Sequence, residues 1–329
     1  MQTVLITGGA GFIGSHTVDK FLKKGFKVKI VDNLSGGREE NISHHKKNKN
    51  LIVEFKDIRK IKKNWSFLKD INYVVHFAGI GDIVPSINNP KKYISNNFGG
   101  TLNLLEAFRD TKLKKFVYAA SSSCYGLAKT PTDENHIIDL QHPYALSKYL
   151  GEQVSFNYAN SYKYPVNSIR IFNAYGTRSK TSGAYGAVFG VFLKQILSNS
   201  PLTIVGDGKQ SRDFVYVTDL ANAFYKASLT KLEKKIWNVG SSNPQTINYL
   251  VKLLNYKRKL YLPDRPGEPK KTHANIKLIK KDLKWEPSIK FEVGVKKMLN
   301  NINYWHSAPL WTEKKIEKAT KEWFKNLKK

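Results

Sequence analysis

The stretch TGGAGFIG, residues 7–14, decides the fold because of what surrounds it. An apolar, strand-like run at residues 3–6 precedes it directly, and a helical pattern over residues 15–24 follows it. Its glycines permit a tight turn, close approach of the backbone to a pyrophosphate, and close packing of helix on strand. The helix N-terminus adds free N–H groups and a dipole that favour anions. We therefore predict a dinucleotide-binding turn, with a plain turn as the alternative, formed by Gly8, Gly11, Phe12, Ile13 and Gly14.

Short apolar strands continue to alternate with helical stretches through the first half of the chain. Further strands are predicted at residues 27–31, 51–55, 73–77, 116–119 and 166–171, and long helices at residues 90–111 and 143–162. Continuous apolar strands that alternate with helices indicate a parallel sheet covered on both faces and joined by right-handed crossovers. The predicted fold class is α/β, with a Rossmann-type doubly wound parallel sheet and a smaller C-terminal α/β substrate domain.

The pattern changes after Thr177, where glycine-rich turns and proline-rich loops become frequent. We predict a dinucleotide-binding domain over residues 1–176 and a domain mainly for substrate over residues 177–329. The boundary is not a single cut, because a segment within residues 214–240, including the apolar run 236–239, can return to the large sheet. The last stretch, residues 312–329, has the pattern of an amphipathic helix.

Asp32 ends the second predicted strand, 24 positions after Gly8, where a carboxylate can accept hydrogen bonds from the adenosine ribose. Because this carboxylate would repel a 2′-phosphate, the sequence favours NAD over NADP, with Arg38 close enough to blur the distinction. A cap for the turn at residues 33–37 is the alternative role of Asp32. The other predicted cofactor contacts follow the strand ends and are Asn33, Asp57, Ile58, Phe77, Ala78 and Gly79.

Tyr144 and Lys148 stand four positions apart on a predicted helix and therefore share one face. An ammonium beside a phenol stabilises the phenolate, so we expect Lys148 to lower the pKa of Tyr144 and make it a general base. Ser121 ends the preceding strand at the carboxyl edge of the sheet, where ligands of doubly wound folds bind, and can relay a proton. A pair with this spacing also arises by chance on surfaces, so the strand context carries the prediction.

The composition restricts the remaining functions. One cysteine, Cys124, occurs among 329 residues, which excludes intrachain disulfides and thiolate-rich metal sites and favours a cytoplasmic location. No apolar run has the length of a leader or a membrane span, so no membrane insertion is expected. His44 and His45 lie in a lysine-rich run and are expected to be exposed. No group of histidine, cysteine and carboxylate residues has metal-site spacing, so the expected metal content is none.

The formal charge of +29 raises the question of a nucleic-acid partner. The excess is almost entirely lysine and is spread along the whole chain, whereas bidentate recognition of phosphates and bases favours arginine. We therefore expect no specific nucleic acid partner and mostly solvated surface charge. Attraction to polyanions or to anionic membrane surfaces stays open.

Taken together, these motifs resemble the extended short-chain dehydrogenase/reductase superfamily, in its NAD-dependent epimerase/dehydratase branch that acts on nucleotide sugars. The shared features are the glycine turn, the acidic residue after the second strand, the tyrosine–lysine pair and the segments 170–176, 206–219 and 265–268. The likeness runs nearly end to end and is to UDP-glucose 4-epimerase-like enzymes. It implies NAD as cofactor, a nucleotide-diphosphate sugar as substrate, and a homodimer that pairs the helices bearing Asn97 and Tyr144.

The resemblance also implies roles for individual residues. Asn97 would support the cofactor pocket, and Ser121, Tyr144 and Lys148 would form the catalytic set. Arginine suits a diphosphate because its guanidinium group presents forked cationic donors. Residues 183–189 are expected to help select the sugar. The implied substrate contacts are Ser86, Ser122, Ser123, Asn173, Val188, Arg212, Arg265 and Glu268.

The implied reaction begins with oxidation of the sugar at C4, and members of the branch diverge from the resulting 4-keto sugar. The 4,6-dehydratases that the chain resembles carry an Asp-Glu pair directly after the catalytic hydroxyl, and decarboxylases usually carry a glutamate there. Ser122 and Ser123 occupy these positions, so elimination lacks its acid and base. A 4-epimerase, which returns the hydride to the opposite face, is therefore the expected function. A UDP-glucuronate-type decarboxylase, a 4,6-dehydratase, a net C4 dehydrogenase and a non-catalytic polyanion-binding module stay open.

Overall fold

The computed structural model describes residues 1–179 and 187–327. In the first half, strands rich in Val, Ile and aromatic residues alternate with helices, as β-propensity and helical periodicity require. A π-helical turn (Ile94–Gly99) separates two of these helices. The elements are β1 (Thr3–Thr7), α1 (Phe12–Lys23), β2 (Lys27–Asp32), β3 (Leu51–Phe55), β4 (Tyr73–His76), α2 (Val84–Asn88), α3 (Pro90–Tyr93), α4 (Gly100–Phe108), β5 (Lys115–Ser121), α5 (Pro143–Ser161) and β6 (Val166–Ile171).

The second half contains shorter strands and more helices. Three two-stranded sheets, β7 with β10, β9 with β12 and β8 with β13, lie outside the central sheet. The elements are β7 (Asn173–Tyr175), α6 (Val188–Leu197), β8 (Leu202–Val205), β9 (Ser211–Arg212), β10 (Phe214–Tyr216), α7 (Val217–Leu229), β11 (Ile236–Val239), β12 (Gln245–Thr246), α8 (Ile247–Leu254), β13 (Lys259–Leu262), α9 (Lys277–Leu283), α10 (Phe291–Asn300) and α11 (Glu313–Asn326).

Seven parallel strands form the central sheet in the order β11-β6-β5-β4-β1-β2-β3. Val4 of β1 pairs with Val28 on one side and with Tyr73 on the other. The chain therefore builds outward from β1 to β3 and then crosses to β4 on the other side of β1. In doubly wound sheets, ligands bind outside the carboxyl ends of the strands at such a reversal.

Alternate residues of β1 divide the hydrophobic core, because successive side chains of a strand point to opposite faces. Val4 and Ile6 face a core that includes residues of α1, α7 and β11, and Leu5 faces a second core formed with α4 and α5. A third core occupies the C-terminal half, where Tyr175 of β7 packs with α6, α8, α10 and α11. Both faces of the central sheet are therefore covered, and the third core belongs mainly to the C-terminal half of the chain.

These observations confirm the predicted α/β fold class with its Rossmann-type doubly wound sheet. The predicted strands are present, with ends that differ by one or two residues. The helix predicted over residues 90–111 is present but ends at Phe108, and a π-helical turn interrupts its α-helical repeat between α3 and α4. No helix in the part of the chain that the structure describes combines the length and the hydropathy of a membrane span.

Candidate active site

A cavity of about 430 Å³ opens at the strand reversal between β1 and β4. It is lined by the glycine turn, by the carboxyl ends of the central strands and by the start of α5. Among the residues predicted to bind cofactor or to act in catalysis, those that line it are Gly8, Gly11, Phe12, Ile13, Gly14, Asp32, Asn33, Asp57, Ile58, Phe77, Ala78, Gly79, Ser121, Tyr144 and Lys148.

The glycine turn between β1 and α1 is closely packed against the end of β4. Gly8 has φ of 70°, and a Cβ placed on it would lie 2.8 Å from the backbone nitrogen of Ala78. A Cβ on Gly14 would collide with the carbonyl oxygen of Gly8. The N-terminus of α1 has no side-chain cap, so its first N–H groups are available to an anion. The turn therefore fits the pyrophosphate of a dinucleotide.

Asp32 is buried at the end of β2 and makes two backbone contacts. Its Oδ2 accepts a hydrogen bond from Ala10 N at 3.0 Å, and its Oδ1 accepts one from Leu34 N at 2.8 Å. Burial raises the pKa of this carboxyl group, and the two hydrogen bonds oppose the shift. The carboxylate therefore caps the turn and also lines the cavity, and its hydrogen bond to the adenosine ribose stays a prediction.

Arg38, which the sequence left as a possible ligand for a 2′-phosphate, has other contacts. Its guanidinium group lies 5.5 Å from the ring centroid of Tyr304, donates to Ser307 Oγ at 3.4 Å, and is 3.5 Å from Glu40. Arg38 is not among the residues that line the cavity. Among the described residues, the cavity wall next to Asp32 therefore contains no arginine that would pair with a 2′-phosphate, which agrees with the predicted preference for NAD.

Asn97 lies in the π-helical turn, behind the cavity wall rather than on it. Its Oδ1 accepts from Ile80 N at 2.7 Å, and its Nδ2 donates to Ile80 O at 3.0 Å and to Ser147 Oγ at 2.9 Å. The side chain is buried, and these three bonds join the loop after β4 to the first turns of α5. Asn97 therefore holds two walls of the cavity together, and its contact with a cofactor stays a prediction.

Tyr144 and Lys148 occupy the first two turns of α5. The helix begins at Pro143, and His142 caps it by accepting a hydrogen bond from Ala145 N at 3.2 Å through Nδ1. The Tyr144 phenol forms a side-chain hydrogen bond with Ser121, and this bond lowers the pKa of the phenol. The Lys148 ammonium lies 4.6 Å from the ring centroid of Tyr118. The fold thus places the three predicted catalytic residues around one end of the cavity.

The pKa of Tyr144 differs from the expectation. Burial raises it and the charge of Asp82 raises it further, while the Ser121 hydrogen bond lowers it, and the net change is upward. Lys148, whose own pKa is lowered to about 8 by burial, does not offset the effect of burial on the phenol. The prediction of a lowered tyrosine pKa is therefore wrong for the protein without cofactor. A positive nicotinamide ring beside the phenol would favour the phenolate.

Ser122 and Ser123 follow Ser121 in a 3₁₀ turn, Ser122–Tyr125, and neither is among the residues that line the cavity. The Ser123 N–H donates to Ser121 Oγ at 3.2 Å, which orients the catalytic hydroxyl. Cys124 is buried in the same turn, and burial raises the pKa of its thiol to about 12. The cysteine therefore stays protonated and is not a nucleophile.

Three predicted substrate residues meet in a separate group in the C-terminal half. Arg212 donates to Glu268 Oε1 at 2.8 Å, and Arg265 lies 3.5 Å from Glu268 Oε2. The two guanidinium groups therefore share one partly buried carboxylate. None of the three is among the residues that line the 430 Å³ cavity.

The remaining residues that were predicted to contact the substrate are engaged in contacts within the protein. The Ser86 hydroxyl is buried and donates to Ile83 O at 2.6 Å, so its hydrogen bond is made within α2. Asn173 Oδ1 accepts from Thr272 Oγ1 at 2.8 Å. Val188 begins α6 and packs against the third core. Of the segment predicted to select the sugar, residues 183–186 lie outside the described residues.

Comparison with known proteins adds a decisive observation. The family model described as "NAD dependent epimerase/dehydratase family" matches residues 4–240 of this chain. The chain belongs to this family.

Similar proteins cover almost the whole chain. A putative UDP-glucose 4-epimerase of Methanocaldococcus jannaschii is 36% identical over 90% of this chain and 97% of its own. A UDP-glucuronate 4-epimerase of Thermodesulfobacterium geofontis is 33% identical over 96% of this chain and 98% of its own. The crystal structure of UDP-glucuronic acid 4-epimerase from Bacillus cereus, in complex with UDP-glucuronic acid and NAD, is similar with a TM-score of 0.87 at 30% identity, covering 92% and 99% of the two chains. This chain is thus an NAD-dependent enzyme of the epimerase/dehydratase family.

Several residues of the epimerase/dehydratase site carried no signal in the sequence. Lys56, Asp82 and three residues of the segment 308–311, namely Ala308, Pro309 and Trp311, line the cavity although no motif marks them. Residues 308–311 reach it because the preceding Tyr304 donates to Asn41 Oδ1 at 2.9 Å, across 263 positions of the chain. Such contacts depend on how the two halves pack and have no local pattern.

A second group was also missed. His44, which is exposed as expected, and His45, which is half-buried, both contact Asp19 of α1. Asp19 lies 25 positions before His44 in the sequence, a separation that is not typical of a metal-binding motif. The fold creates this grouping by packing the turn Ser43–His45 on α1.

Proposed function

We propose that this protein is an NAD-dependent nucleotide-sugar 4-epimerase whose substrate is a UDP-sugar. The observation that carries the proposal is the position of Ser121, Tyr144 and Lys148 at one end of the cavity. The glycine turn and Asp32 line the other end of the same cavity. The named activities of the similar proteins from M. jannaschii and T. geofontis support it. A hydride-transferring site needs such proximity between the cofactor-binding turn and the proton-handling group.

The residues divide the chemistry as follows. Tyr144 accepts the proton of the sugar 4-hydroxyl as the carbonyl forms and returns it when the alcohol is restored. Ser121 donates to the phenol oxygen and steadies it in its anionic form. Lys148 adds a cation at the same end of the cavity while it stays protonated. Bound NAD would be held by the glycine turn and Asp32 and would supply the hydride acceptor and donor for C4.

Epimerisation is favoured over elimination because of the residues next to Ser121. Removal of the 6-hydroxyl needs an acid and a base beside the catalytic hydroxyl, and Ser122 and Ser123 provide neither. A 4-epimerase needs one proton relay and a reversible hydride transfer. The set present is therefore sufficient for epimerisation.

Binding of the nucleotide diphosphate is assigned to the group formed by Arg212, Arg265 and Glu268. Two guanidinium groups that share one carboxylate can exchange it for a diphosphate, which offers more acceptor oxygens in a bidentate geometry. The carboxylate of Glu268, released from the two arginines, would then accept hydrogen bonds from the ribose of the nucleotide. The assignment agrees with the family resemblance of these segments.

A homodimer is part of the proposal. Leu146, Leu150 and Val154 recur every four positions on α5, and Leu146 is 39% exposed. This stripe lies on the helix that carries Tyr144, and a second copy is the occupant that would cover it. Light scattering coupled to size exclusion tests the dimer, and Leu146→Glu is expected to yield a monomer. A wild-type chain that is monomeric at all concentrations would contradict this part of the proposal.

The cytoplasmic location is also proposed here. It rests on the single buried cysteine and the absence of disulfide chemistry in the sequence. Cell fractionation followed by immunoblotting provides the test, and recovery in a secreted or periplasmic fraction would contradict it.

The deciding experiment is incubation of the purified protein with UDP-, GDP-, CDP- and dTDP-sugars, followed by NMR of the products. We expect interconversion of C4 epimers of a UDP-sugar without net formation of NADH. A product without the 6-hydroxyl, release of CO₂, or stoichiometric NADH would reject the proposal. Tyr144→Phe is the matched control: it should lower kcat at least about 100-fold, the usual contribution of a general base, while NAD affinity stays within about twofold.

A further inference from the structure

Asp19, His44 and His45 form a compact group away from the cofactor cavity. His44 Nε2 lies 2.8 Å and His45 Nε2 lies 2.7 Å from the same oxygen, Oδ1 of Asp19. The ligand atoms of all three residues lie within 4.8 Å of one another, and the two imidazole rings are 4.1 Å apart between centroids. None of the three lines the cavity, so the proposed epimerase reaction does not account for their arrangement.

Two imidazoles directed at one carboxylate oxygen have the donor chemistry of a metal site. Neutral imidazole nitrogen and carboxylate oxygen are ligands that Zn²⁺ and its neighbours in the first transition series accept. Tetrahedral coordination at Zn–N distances of about 2.0–2.1 Å places donors roughly 3.3 Å apart. The observed separations are about half an ångström shorter than this value, a difference that side-chain rotation can supply. We propose that Asp19, His44 and His45 bind a divalent transition-metal ion such as Zn²⁺, with solvent completing the coordination.

The second carboxylate oxygen of Asp19 contacts Arg178, which orients the carboxylate and also limits its affinity for a metal ion. Arg178 Nη1 lies 2.8 Å from Asp19 Oδ2, which fixes the carboxylate and leaves Oδ1 directed at the histidines. Outer-shell partners of this kind orient metal-ligating carboxylates. The positive charge of Arg178 opposes a cation, so we expect binding in the micromolar range rather than the tighter range of structural zinc sites.

The position of the group gives the metal a structural consequence. Asp19 belongs to α1, the helix that follows the glycine turn, while the two histidines lie within the loop that joins β2 to β3. A bound ion would clamp this loop to α1. Residues 33, 35, 36 and 37 of the loop line the cavity, so the clamp would steady one wall of the NAD site. The proposal does not depend on which sugar the enzyme converts.

Direct binding to the full, tag-free chain tests the site. Isothermal titration with ZnCl₂ is expected to give one ion per chain with a micromolar Kd, and Co²⁺ should give the absorption bands of a low-coordinate site with nitrogen and oxygen ligands. His44→Ala, which removes an exposed side chain, should weaken binding at least tenfold. His306→Ala removes another exposed histidine outside the group and is the matched control, expected to bind as the wild type does.

The outcomes separate the proposal from its alternatives. Circular dichroism and NAD binding verify that each variant is folded. Equal Zn²⁺ affinity in wild type and His44→Ala would overturn the proposal, as would the absence of a stoichiometric site in the wild type. Because the readout is metal binding rather than turnover, a failure of the 4-epimerase assignment would leave this result unaffected.

Discussion

Lys148 is the residue whose charge state limits the proposed reaction at high pH. Burial lowers its pKa to about 8, so the ammonium is present at neutral pH and loses its proton as the pH rises through that value. Loss of the cation removes positive charge from the site where the Tyr144 phenolate forms. We predict that kcat falls as the pH rises above about 8, measured as a pH–rate profile at saturating substrate.

A variant with a permanently charged side chain checks the assignment. Lys148→Arg should have a lower kcat because the longer, planar group is misplaced, but its profile should lack the descending limb near pH 8. Circular dichroism across the same pH range controls for unfolding. If the descending limb of the Lys148→Arg profile lay at the same pH as that of the wild type, the titrating group would not be Lys148.

Asp82 is the second residue whose charge bears on the reaction. It lines the cavity, and its charge raises the pKa of both Tyr93 and Tyr144, so it acts at the catalytic end rather than at the adenosine end. A carboxylate there should repel a sugar that is itself anionic. We predict that Asp82→Asn increases kcat/KM for UDP-glucuronate relative to UDP-glucose by about fivefold, corresponding to roughly 1 kcal/mol of screened repulsion.

The control for this prediction is Asp57→Asn at saturating NAD. Asp57 lines the same cavity at the end of β3, where Arg59 holds its carboxylate, and it should leave the ratio between the two sugars unchanged. An unchanged ratio in Asp82→Asn would show that Asp82 does not contribute to the choice of sugar.

The residues that the sequence identified share one property: each lies in a local pattern tied to a strand end or a helix start. Gly8 follows β1, Asp32 ends β2 and Tyr144 lies at the start of α5, so spacing together with the strand context predicted their place near the cavity. Asp82 and the segment 308–311 reach the same cavity through tertiary packing and could not be found in this way. The pKa of Tyr144 was predicted in the wrong direction because sequence spacing gives the neighbouring charge but not the degree of burial.

Among the elements, the π-helical turn between α3 and α4 has the clearest functional consequence. Such a turn adds a residue to the helical repeat and rotates the side chains that follow it, and π-helical turns often occur at functional sites. Here it aims Asn97 at Ile80 and Ser147. Gly151 of α5 permits the close approach, because a Cβ there would lie 3.1 Å from the carbonyl oxygen of Asn97 and would collide with the Tyr118 hydroxyl.

Removal of Asn97 should therefore loosen both walls of the cavity. Asn97→Ala leaves the N–H and the C=O of Ile80 without their buried partner, which we expect to lower the free energy of unfolding by about 3 kcal/mol. NAD affinity should also fall, because Ile80 and its neighbours line the cavity. Urea denaturation and a fluorescence titration with NADH measure the two effects.

Ser147→Ala provides a graded comparison, since it removes one of the three hydrogen bonds of Asn97 and leaves both bonds to Ile80. We expect a loss of about 1 kcal/mol and nearly unchanged NAD affinity. Equal effects of the two variants would contradict the view that Asn97 acts through the loop at Ile80. The helical periodicity of residues 90–111 could not reveal this turn, because its stabilising partners lie up to 50 positions away.

In the whole molecule, the last helix joins the proposed diphosphate group to the catalytic helix. Trp323 of α11 donates through Nε1 to Pro266 O at 2.9 Å, within the loop that carries Arg265 and Glu268. The same indole lies 6.1 Å from the ring of His142, the cap of α5. Amphipathicity predicted a helix over residues 312–329, but the pattern gave no information about which surface the helix covers. That surface joins the proposed diphosphate group to the start of α5.

Trp323→Phe tests this link because it removes the N–H donor and keeps an aromatic ring in the core. We expect KM for the UDP-sugar to rise about threefold to tenfold, since a lost hydrogen bond of roughly 1 kcal/mol no longer fixes the loop at Pro266. The kcat and the affinity for NAD should change less than twofold, because residues 265–268 are not among those that line the cavity. Trp305→Phe is the matched control: Trp305 belongs to the same core, and its Nε1 has no hydrogen-bond partner among the described residues. Because the two variants remove similar volume, a rise in KM shared by both would reflect packing, whereas a rise confined to Trp323→Phe would assign the effect to the hydrogen bond at Pro266.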